Sequence, residues 1–175
     1  MRGLLEFIDK ISKPPQFIVL ILASAIVFGS VMWTLMALMT LTEGVGILDF
    51  DIGYSVQRVV DVLGSYGPEG HALYARIQLL DILNPALYSL VLAALTHRVL
   101  RGTGPEWLCL LPLLGGLGDY AENITLFKIV GDYPEISASV VSVSSTLSLV
   151  KNGLLVVGIT PLAIGLLLMV LRKRR

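Results

Sequence analysis

The sequence predicts an all-α integral membrane protein: a four-helix transmembrane bundle with a short N-terminal interfacial helix and an amphipathic helix in the outer loop. Three observations support this fold class. Hydrophobic residues make up 55% of the 175 residues and charged residues only 15%, whereas a typical soluble domain is about 25% charged. The mean hydropathy is +0.80. A soluble protein of this length has too small a core to bury so much apolar surface, so lipid must surround much of the chain. We treat the chain as a single transmembrane domain.

Composition also limits the function. The formal net charge is zero, which gives no reason to expect a nucleic-acid partner. The one cysteine, Cys109, cannot form an internal disulfide, which argues against paired-cysteine redox chemistry. The two histidines, His71 and His97, fall near opposite ends of one predicted helix, which argues against a haem held between them. We therefore predict neither a cofactor nor a metal site.

The first and last spans are the clearest. Residues 17–41 carry no charge and exceed the ~20 residues that a spanning helix needs. A signal peptide would have a shorter apolar core and a cleavage site of small residues, and the sequence has neither. The last span is predicted at about 139–171 and is followed by the basic run Arg172-Lys173-Arg174-Arg175.

Two weaker spans lie between them, at about 72–100 and 106–130. Each contains charged residues, so each crosses the bilayer only if those residues face other protein. The Asn84-Pro85 step predicts a kink in the second span, because proline lacks a backbone N–H group and crowds the preceding turn.

The basic residues set the expected orientation. Most of the 13 Lys and Arg residues fall at the N-terminus, at the C-terminus or between the second and third spans. Acidic residues dominate the outer loop, residues 42–71. By the positive-inside rule, both termini lie in the cytoplasm. We therefore predict a multi-pass protein of the plasma (inner) membrane.

A short helix is predicted before the first span. In residues 3–12, Leu4, Ile8 and Ile11 share one helical face, and Pro14 follows shortly afterwards. This pattern is typical of a helix that lies in the cytoplasmic interface of the membrane. A frayed tail is the alternative.

A second short helix is predicted in the outer loop. Ser55 is a suitable N-cap for a helix that runs to about Ser65. Its apolar face would carry Val56, Val59, Val60 and Leu63. The helix is either a lid over the outer mouth of the bundle or a connector on the membrane surface, and the sequence does not separate these two hypotheses.

Polar side chains form a stripe on each of three predicted spans. The second span carries Tyr74, Gln78, Asp81 and Tyr88 with Asn84 beside them, the third carries Asp119, Glu122 and Asn123, and the fourth carries Ser144, Ser148, Lys151 and Asn152. Measured from the basic ends of the spans, the ionisable members fall in the outer third of the bilayer. Such groups cost several kcal/mol each against lipid, so we expect the stripes to face one another.

These stripes supply the candidate site. Asp81, Asp119 and Glu122 are the candidate acid–base or binding groups. Lys151 and Arg76 are their expected charge partners or headgroup contacts. The expected orienting groups of a ligand site are Tyr74, Gln78, Asn84, Tyr88 and Asn123.

The second predicted helix also carries a resemblance. Residues 66–88 resemble a group of uncharacterised prokaryotic four-helix membrane proteins, whose second helix has a Gly, an aromatic residue, Gln, Asp, Pro and Tyr in this order. Asp119-Tyr120-Ala121-Glu122-Asn123 is similar to the Asp and Glu-Asn of their third helix, and Lys151 matches a Lys on their fourth. The similarity covers roughly two thirds of the chain. It implies the four-helix architecture and brings no activity.

Three functional interpretations of the polar cluster remain open at this point. The first is an outward-facing pocket in the outer leaflet that binds a lipid-like or amphipathic molecule, with acid–base chemistry on that molecule as an extension. The second is a purely structural ion-pair network in a non-catalytic accessory subunit. The third, a proton or ion path, is disfavoured because the cytoplasmic halves of three spans lack ionisable side chains. The expected partners are membrane lipids, with a homo-oligomer or a membrane-protein partner left open.

Overall fold

A computed structural model describes residues 1–102 and 104–173 of the chain. The helical content is 84%, and these residues form no strand, which confirms the all-α class. The helices are α1 (Arg2–Ile11), α2 (Gln16–Leu41), α3 (Val56–Ser65), α4 (Gly67–Asp81), α5 (Asn84–Leu100), α6 (Leu111–Asp132) and α7 (Ala138–Lys173). Two short 3-10 turns, Leu48–Phe50 and Glu106–Leu110, lie in connections. The end of the predicted basic run, residues 174–175, lies outside the described residues.

Three helical segments are long and apolar enough to cross a membrane. They are α2, the nearly continuous α4–α5 unit (Gly67–Leu100) and α7 as far as Leu171. This agrees with a membrane protein. The predicted third span, α6, is not among the three; it carries four charged residues and a glycine-rich first half.

The predicted break in the second span is confirmed. Helix α4 ends at Asp81, and α5 begins at Asn84 with Pro85 in its first turn. The backbone N–H groups of Ile82 and Leu83 bond to carbonyls three residues back, at 3.4 and 3.2 Å, so the chain tightens through the break. Proline is tolerated at this point because the first turn of a helix has no intrahelical acceptor for its missing N–H group.

Helix α6 is the centre of the packing. It packs most extensively against α7 and also against α5, while α2 packs against α4 and α5. In the described part of the chain, α2 and α7 are not a closely packed pair. The bundle is therefore open along one side, between its first and last long helices.

The N-terminal helix docks onto the bundle. The helix predicted at 3–12 is confirmed as α1, and Ile8 is fully buried against Ala93 and Cys109. Leu5 and Ile11 pack around this contact, whereas Leu4 is largely exposed. The docked face is thus centred on Ile8, as its helical position predicts.

The outer loop contains the predicted helix α3. The Ser55 hydroxyl accepts a hydrogen bond from the Arg58 N–H group at 3.2 Å, which confirms the N-cap. The buried face, however, consists of Val59, Val62 and Leu63, while Val56 and Val60 are exposed. The predicted face was wrong by part of a turn, because the direction from which α4 and α7 approach decides which side of a short helix is covered.

Close packing of α6 onto α5 depends on Gly116. A Cβ atom at this position would lie 2.8 Å from the Ser89 Oγ atom and 2.9 Å from the Pro85 carbonyl oxygen. We predict that Gly116→Ala lowers the free energy of unfolding by about 1–3 kcal/mol, as overpacking usually does. The measurement is thermal unfolding in detergent, followed by reaction of a thiol dye with the buried Cys109.

The matched control is Gly29→Ala in the middle of α2, where an added Cβ meets nothing within 4 Å. This control should leave the midpoint unchanged or raise it slightly, because alanine favours helix more than glycine does. Equal midpoints for the wild type and Gly116→Ala would contradict the close contact between α5 and α6.

Candidate functional site

A cavity of about 840 Å³ lies on the open side of the bundle. Helix α2, the α4–α5 break, the first half of α6, the middle of α7 and the outer loop all contribute to its wall. Its charged lining residues are Asp49, Asp81, Asp119 and Lys151, and its uncharged polar lining residues are Ser24, Asn84, Tyr88 and Asn152. The rest of the wall is apolar and comes mainly from α2, from Val91 and Leu92 of α5, and from Leu155 and Ile159 of α7.

The polar and apolar parts of the wall follow one another along the helices. On α7, Lys151 is succeeded by Leu155 and Ile159 at one-turn intervals, and on α5, Tyr88 is succeeded by Val91 and Leu92. The charged groups therefore lie towards the end of the cavity that the outer loop closes. Hydrocarbon side chains line the remainder.

Lys151 joins α7 to α6. Its Nζ atom contacts the Glu122 carboxylate and lies 3.5 Å from Asp119 Oδ1. All three side chains are buried, Glu122 completely. Lys151 also lies 3.4 Å from the Asp49 carbonyl oxygen, to which it donates a hydrogen bond. The stripes on α6 and α7 thus face one another, as two buried carboxylates and a buried ammonium group require.

Asp81 stands apart from this ion-pair network. Its carboxylate accepts hydrogen bonds from Asn84 Nδ2 at 3.0 Å and from Asn123 Nδ2 at 2.7 Å. Among the described residues, no Lys, Arg or His lies within ion-pair distance of it. Tyr88 donates instead to Asp119, at 3.0 Å. Asp81 is therefore a half-buried carboxylate at the cavity wall whose partners are neutral amides.

Sequence reasoning missed Asp49 as a site residue. It lies in the 3-10 turn of the outer loop, and its carboxylate accepts a hydrogen bond from the Tyr74 hydroxyl at 3.0 Å. Burial raises the pKa of the Asp49 carboxyl, and the Lys151 charge opposes that rise. No local signal could have found it: the apolar–acidic alternation of residues 48–52 predicts that Phe50 and Ile52 are buried, yet they are 62% and 69% exposed.

The serines of α7 hold the outer loop against the bundle. Ser148 donates to the Asp51 carbonyl oxygen at 2.8 Å, and Ser145 accepts from the Tyr54 N–H group at 2.9 Å. The Tyr54 hydroxyl lies 2.7 Å from Ser144 Oγ. Irregular backbone inside a membrane protein needs such partners, because hydrocarbon supplies none. The polar stripe of α7 therefore serves the loop as well as the ion pairs.

Five predicted site residues do not line the cavity. Glu122 and Asn123 contact the lining residues Lys151 and Asp81. The other three are Arg76, Tyr74 and Gln78. Arg76 is exposed and makes no ion pair with the described carboxylates, so its expected role as a charge partner was wrong; it projects from the opposite side of α4 to the buried Ile77 and Gln78. Tyr74 is fully buried and bonds to Asp49 rather than lining the cavity. Gln78 is also buried, does not line the cavity, and its Nε2 atom has no hydrogen-bond partner among the described residues.

Comparisons with protein-family models, with curated proteins and with solved structures give no match to this chain. The resemblance to uncharacterised four-helix membrane proteins therefore gains no support from them. The candidate site consequently rests on its own geometry: a cavity with one charged and one apolar part.

Removing the Lys151 ammonium group tests the ion-pair network. We predict that Lys151→Met lowers the free energy of unfolding by about 3–5 kcal/mol, because it leaves two buried carboxylates without a cation. The same thiol-dye unfolding assay measures this loss. The double variant Lys151→Met/Glu122→Gln should recover part of it, since the completely buried carboxylate is then neutral.

The control is Lys128→Met, which removes an exposed pair with Asp132 on the same helix as Glu122. Exposed pairs contribute about 0–1 kcal/mol. Equal losses for Lys128→Met and Lys151→Met would contradict a buried network.

Proposed function

We propose that the chain crosses the membrane four times, with α6 as the third crossing and α1 in the cytoplasmic interface. The pairing of α6 supports this proposal. Its carboxylates face Lys151, and its outward side is apolar, with Ile124 70% exposed and Leu117 64% exposed. Asp119 and Glu122 are thus directed inwards, and the other two charged residues, Lys128 and Asp132, pair with each other near the end of the helix. Such an arrangement is suited to a lipid surrounding. The distribution of basic residues supports cytoplasmic termini.

We further propose that the protein binds an amphipathic, lipid-like molecule in the cavity. The observation that carries this proposal is the division of the 840 Å³ space into a charged part and a hydrocarbon part. Ligand sites are commonly of this size, mostly apolar and supplied with a few convergent polar groups. A molecule with one polar end and one apolar end fits both parts at once.

The gap between α2 and α7 is the proposed entrance. The outer loop lies across the charged end, with Ile47 and Asp49 in the wall, so access from the aqueous side is restricted. Phe28 of α2 and Ile52 of the loop line the cavity yet remain 53% and 69% exposed. An apolar rim on the lipid-facing side favours lateral entry from the membrane over the outward opening expected from sequence alone.

The charge of the cavity favours a ligand whose polar end donates hydrogen bonds or carries positive charge. Asp49, Asp81 and Asp119 line it together with a single cation, Lys151, which is already engaged by two carboxylates. The Oδ1 atom of Asn84 is a further acceptor without a partner among the described residues. A primary ammonium group satisfies such acceptors, whereas a phosphate group meets like charge.

The structural interpretation accounts for only part of the cluster. The contacts among Lys151, Asp119 and Glu122 fix α6 against α7 and need no ligand. Asp81 joins the end of α4 to α6 through Asn123, but its carboxylate also lines the cavity and has no cationic partner among the described residues. Any acid–base chemistry on the ligand would fall to Asp81 for the same reason.

Binding of probe amphiphiles tests the ligand proposal. Native mass spectrometry of the delipidated protein should show dodecylammonium retained more strongly than dodecyl phosphate. Asp81→Asn should weaken dodecylammonium binding by about tenfold or more, since a hydrogen bond to a charged group contributes about 1.5–3 kcal/mol. Ala25→Phe should weaken both probes by filling the apolar part of the cavity.

The control for Ala25→Phe is Ile26→Phe, the next residue of α2, which is 69% exposed and does not line the cavity. It should bind both probes as the wild type does. If the wild type retains the two probes equally and Asp81→Asn changes the retention of neither, the cavity does not select its ligand by the charge of the polar end. If neither probe binds and Asp81→Asn only lowers the unfolding midpoint, the structural interpretation is correct.

The crossing of α6 has its own test. In a Cys109→Ala background, we predict that Ser137→Cys, between α6 and α7, reacts with a membrane-impermeant maleimide on intact cells. Glu106→Cys, before α6, should react only after the membrane is opened. Both positions are exposed on the protein, so a difference in labelling between them shows on which side of the membrane each one lies. Labelling of both positions from one side would rule out the crossing, and reversed labelling would rule out the orientation.

A further inference from the structure

A second cavity lies at the opposite end of the bundle from the outer loop. It has a volume of about 290 Å³ and is lined by Ser12, Lys13, Pro14, His97, Arg98 and Arg101. It forms where the connection between α1 and α2 meets the last turn of α5 and the residue that follows it. None of its lining residues belongs to the cavity of the proposed function.

The rim of this cavity has more positive than negative charge. Among the described residues, Asp9 of α1 is the one carboxylate that pairs with the basic groups there. Its Oδ2 atom bonds to Lys13 at 2.5 Å. Its Oδ1 atom lies 3.2 Å from His97 Nε2 and 3.7 Å from Arg101 Nη1. The hydrogen bond from Lys13 lowers the pKa of the Asp9 carboxyl. One charge of Asp9 cannot neutralise Lys13, Arg101 and Arg98 together.

Arg98 is the cation that no described carboxylate pairs with. Its guanidinium carbon lies 4.5 Å from the centroid of the Phe17 ring, a cation–π contact. This stacking holds the guanidinium group at the mouth of the cavity and leaves its N–H groups able to donate hydrogen bonds to a ligand. Phe17 also begins the long apolar stretch of α2, so the cationic rim adjoins the first hydrocarbon turns of that helix.

His97 shows that the cavity is built into the fold rather than formed by surface chains alone. His97 is only 5% exposed, and its Nε2 atom lies within hydrogen-bond distance of Asp9 Oδ1, at 3.2 Å. Its Nδ1 atom is buried and has no hydrogen-bond partner among the described residues. A buried side chain thus forms part of the cavity wall, and its contact with Asp9 holds α1 against α5.

From this geometry we infer that the cavity bounded by Lys13, Arg98 and Arg101 binds the phosphate of an anionic phospholipid headgroup. Guanidinium groups form paired hydrogen bonds to phosphate oxygens, and a lysine adds a point charge. The adjoining apolar surface of α2 distinguishes a lipid from free phosphate: Ile18, Val19 and Leu22 are 54%, 64% and 56% exposed, so acyl chains can pack there while the headgroup is held. Basic pockets at the cytoplasmic ends of membrane helices suit such headgroups.

This inference rests on the proposed membrane placement, not on the ligand of the larger cavity. It gives the two ends of the bundle opposite preferences: a donor-rich or cationic group among the aspartates, and an anionic headgroup at the α1 end. The headgroup would fix α1 against α5 by bridging Lys13 of one segment and Arg98 of the other.

Native mass spectrometry of the full chain tests the site, with phosphatidylglycerol and phosphatidylcholine of identical acyl chains as probes. The wild type should retain phosphatidylglycerol preferentially. The double variant Arg98→Gln/Arg101→Gln should reduce that retention by about tenfold or more, because two charge-assisted contacts are lost. Asp9→Asn should increase it, because it releases Lys13 and Arg101 from a competing carboxylate.

Arg76→Gln is the matched control, since it removes an exposed arginine from the other end of the same α4–α5 unit. It should retain phosphatidylglycerol as the wild type does. An equal loss in Arg76→Gln, or equal retention of the two lipids by the wild type, would overturn the site. Displacement of the lipid by millimolar inorganic phosphate would assign the cavity to free phosphate and overturn the headgroup assignment.

Discussion

A buried charge or an unpaired buried backbone group is costly without a partner, and the segments around Lys151 are arranged to meet this constraint. Its ammonium group contacts Glu122 and Asp119 of α6 and the backbone carbonyl of Asp49 in the outer loop. One side chain thereby ties two long helices and an irregular segment together. Because each of these groups would be costly without the others, the network specifies one register between α6 and α7.

Glycine makes this register possible. Gly118 lies so close to α7 that a Cβ atom would stand 3.2 Å from the Lys151 Cα, and Gly115 meets Leu155 in the same way. Small residues let two helix backbones approach closely, which brings the carboxylates of α6 within reach of a lysine on α7. Because these glycines and charged residues make α6 less apolar than the other long helices, its proposed crossing depends on packing against α5 and α7.

The two cavities together suggest how charge is divided along the bundle. Carboxylates exceed cations in the larger cavity near the outer loop, and cations exceed carboxylates near α1. In a chain whose formal net charge is zero, this separation comes from the order of the residues and from the fold, not from composition. Each end then favours a different polar group by complementarity, and Asp81 and Arg98 are the groups that protein partners leave least neutralised.

The sequence by itself determined the local features: the all-α class, the long apolar helices, the break before Pro85, the Ser55 cap and the polar stripes of α6 and α7. These depend on residues within a few turns of one another, which periodicity and turn chemistry capture. Tertiary structure alone decided the rest. Asp49 meets Lys151 over a separation of 102 residues, α2 supplies a cavity wall although it carries no charged residue, and Arg76 faces away from the acids. Such outcomes depend on which helix surfaces meet, and that choice is made by packing between segments far apart in sequence.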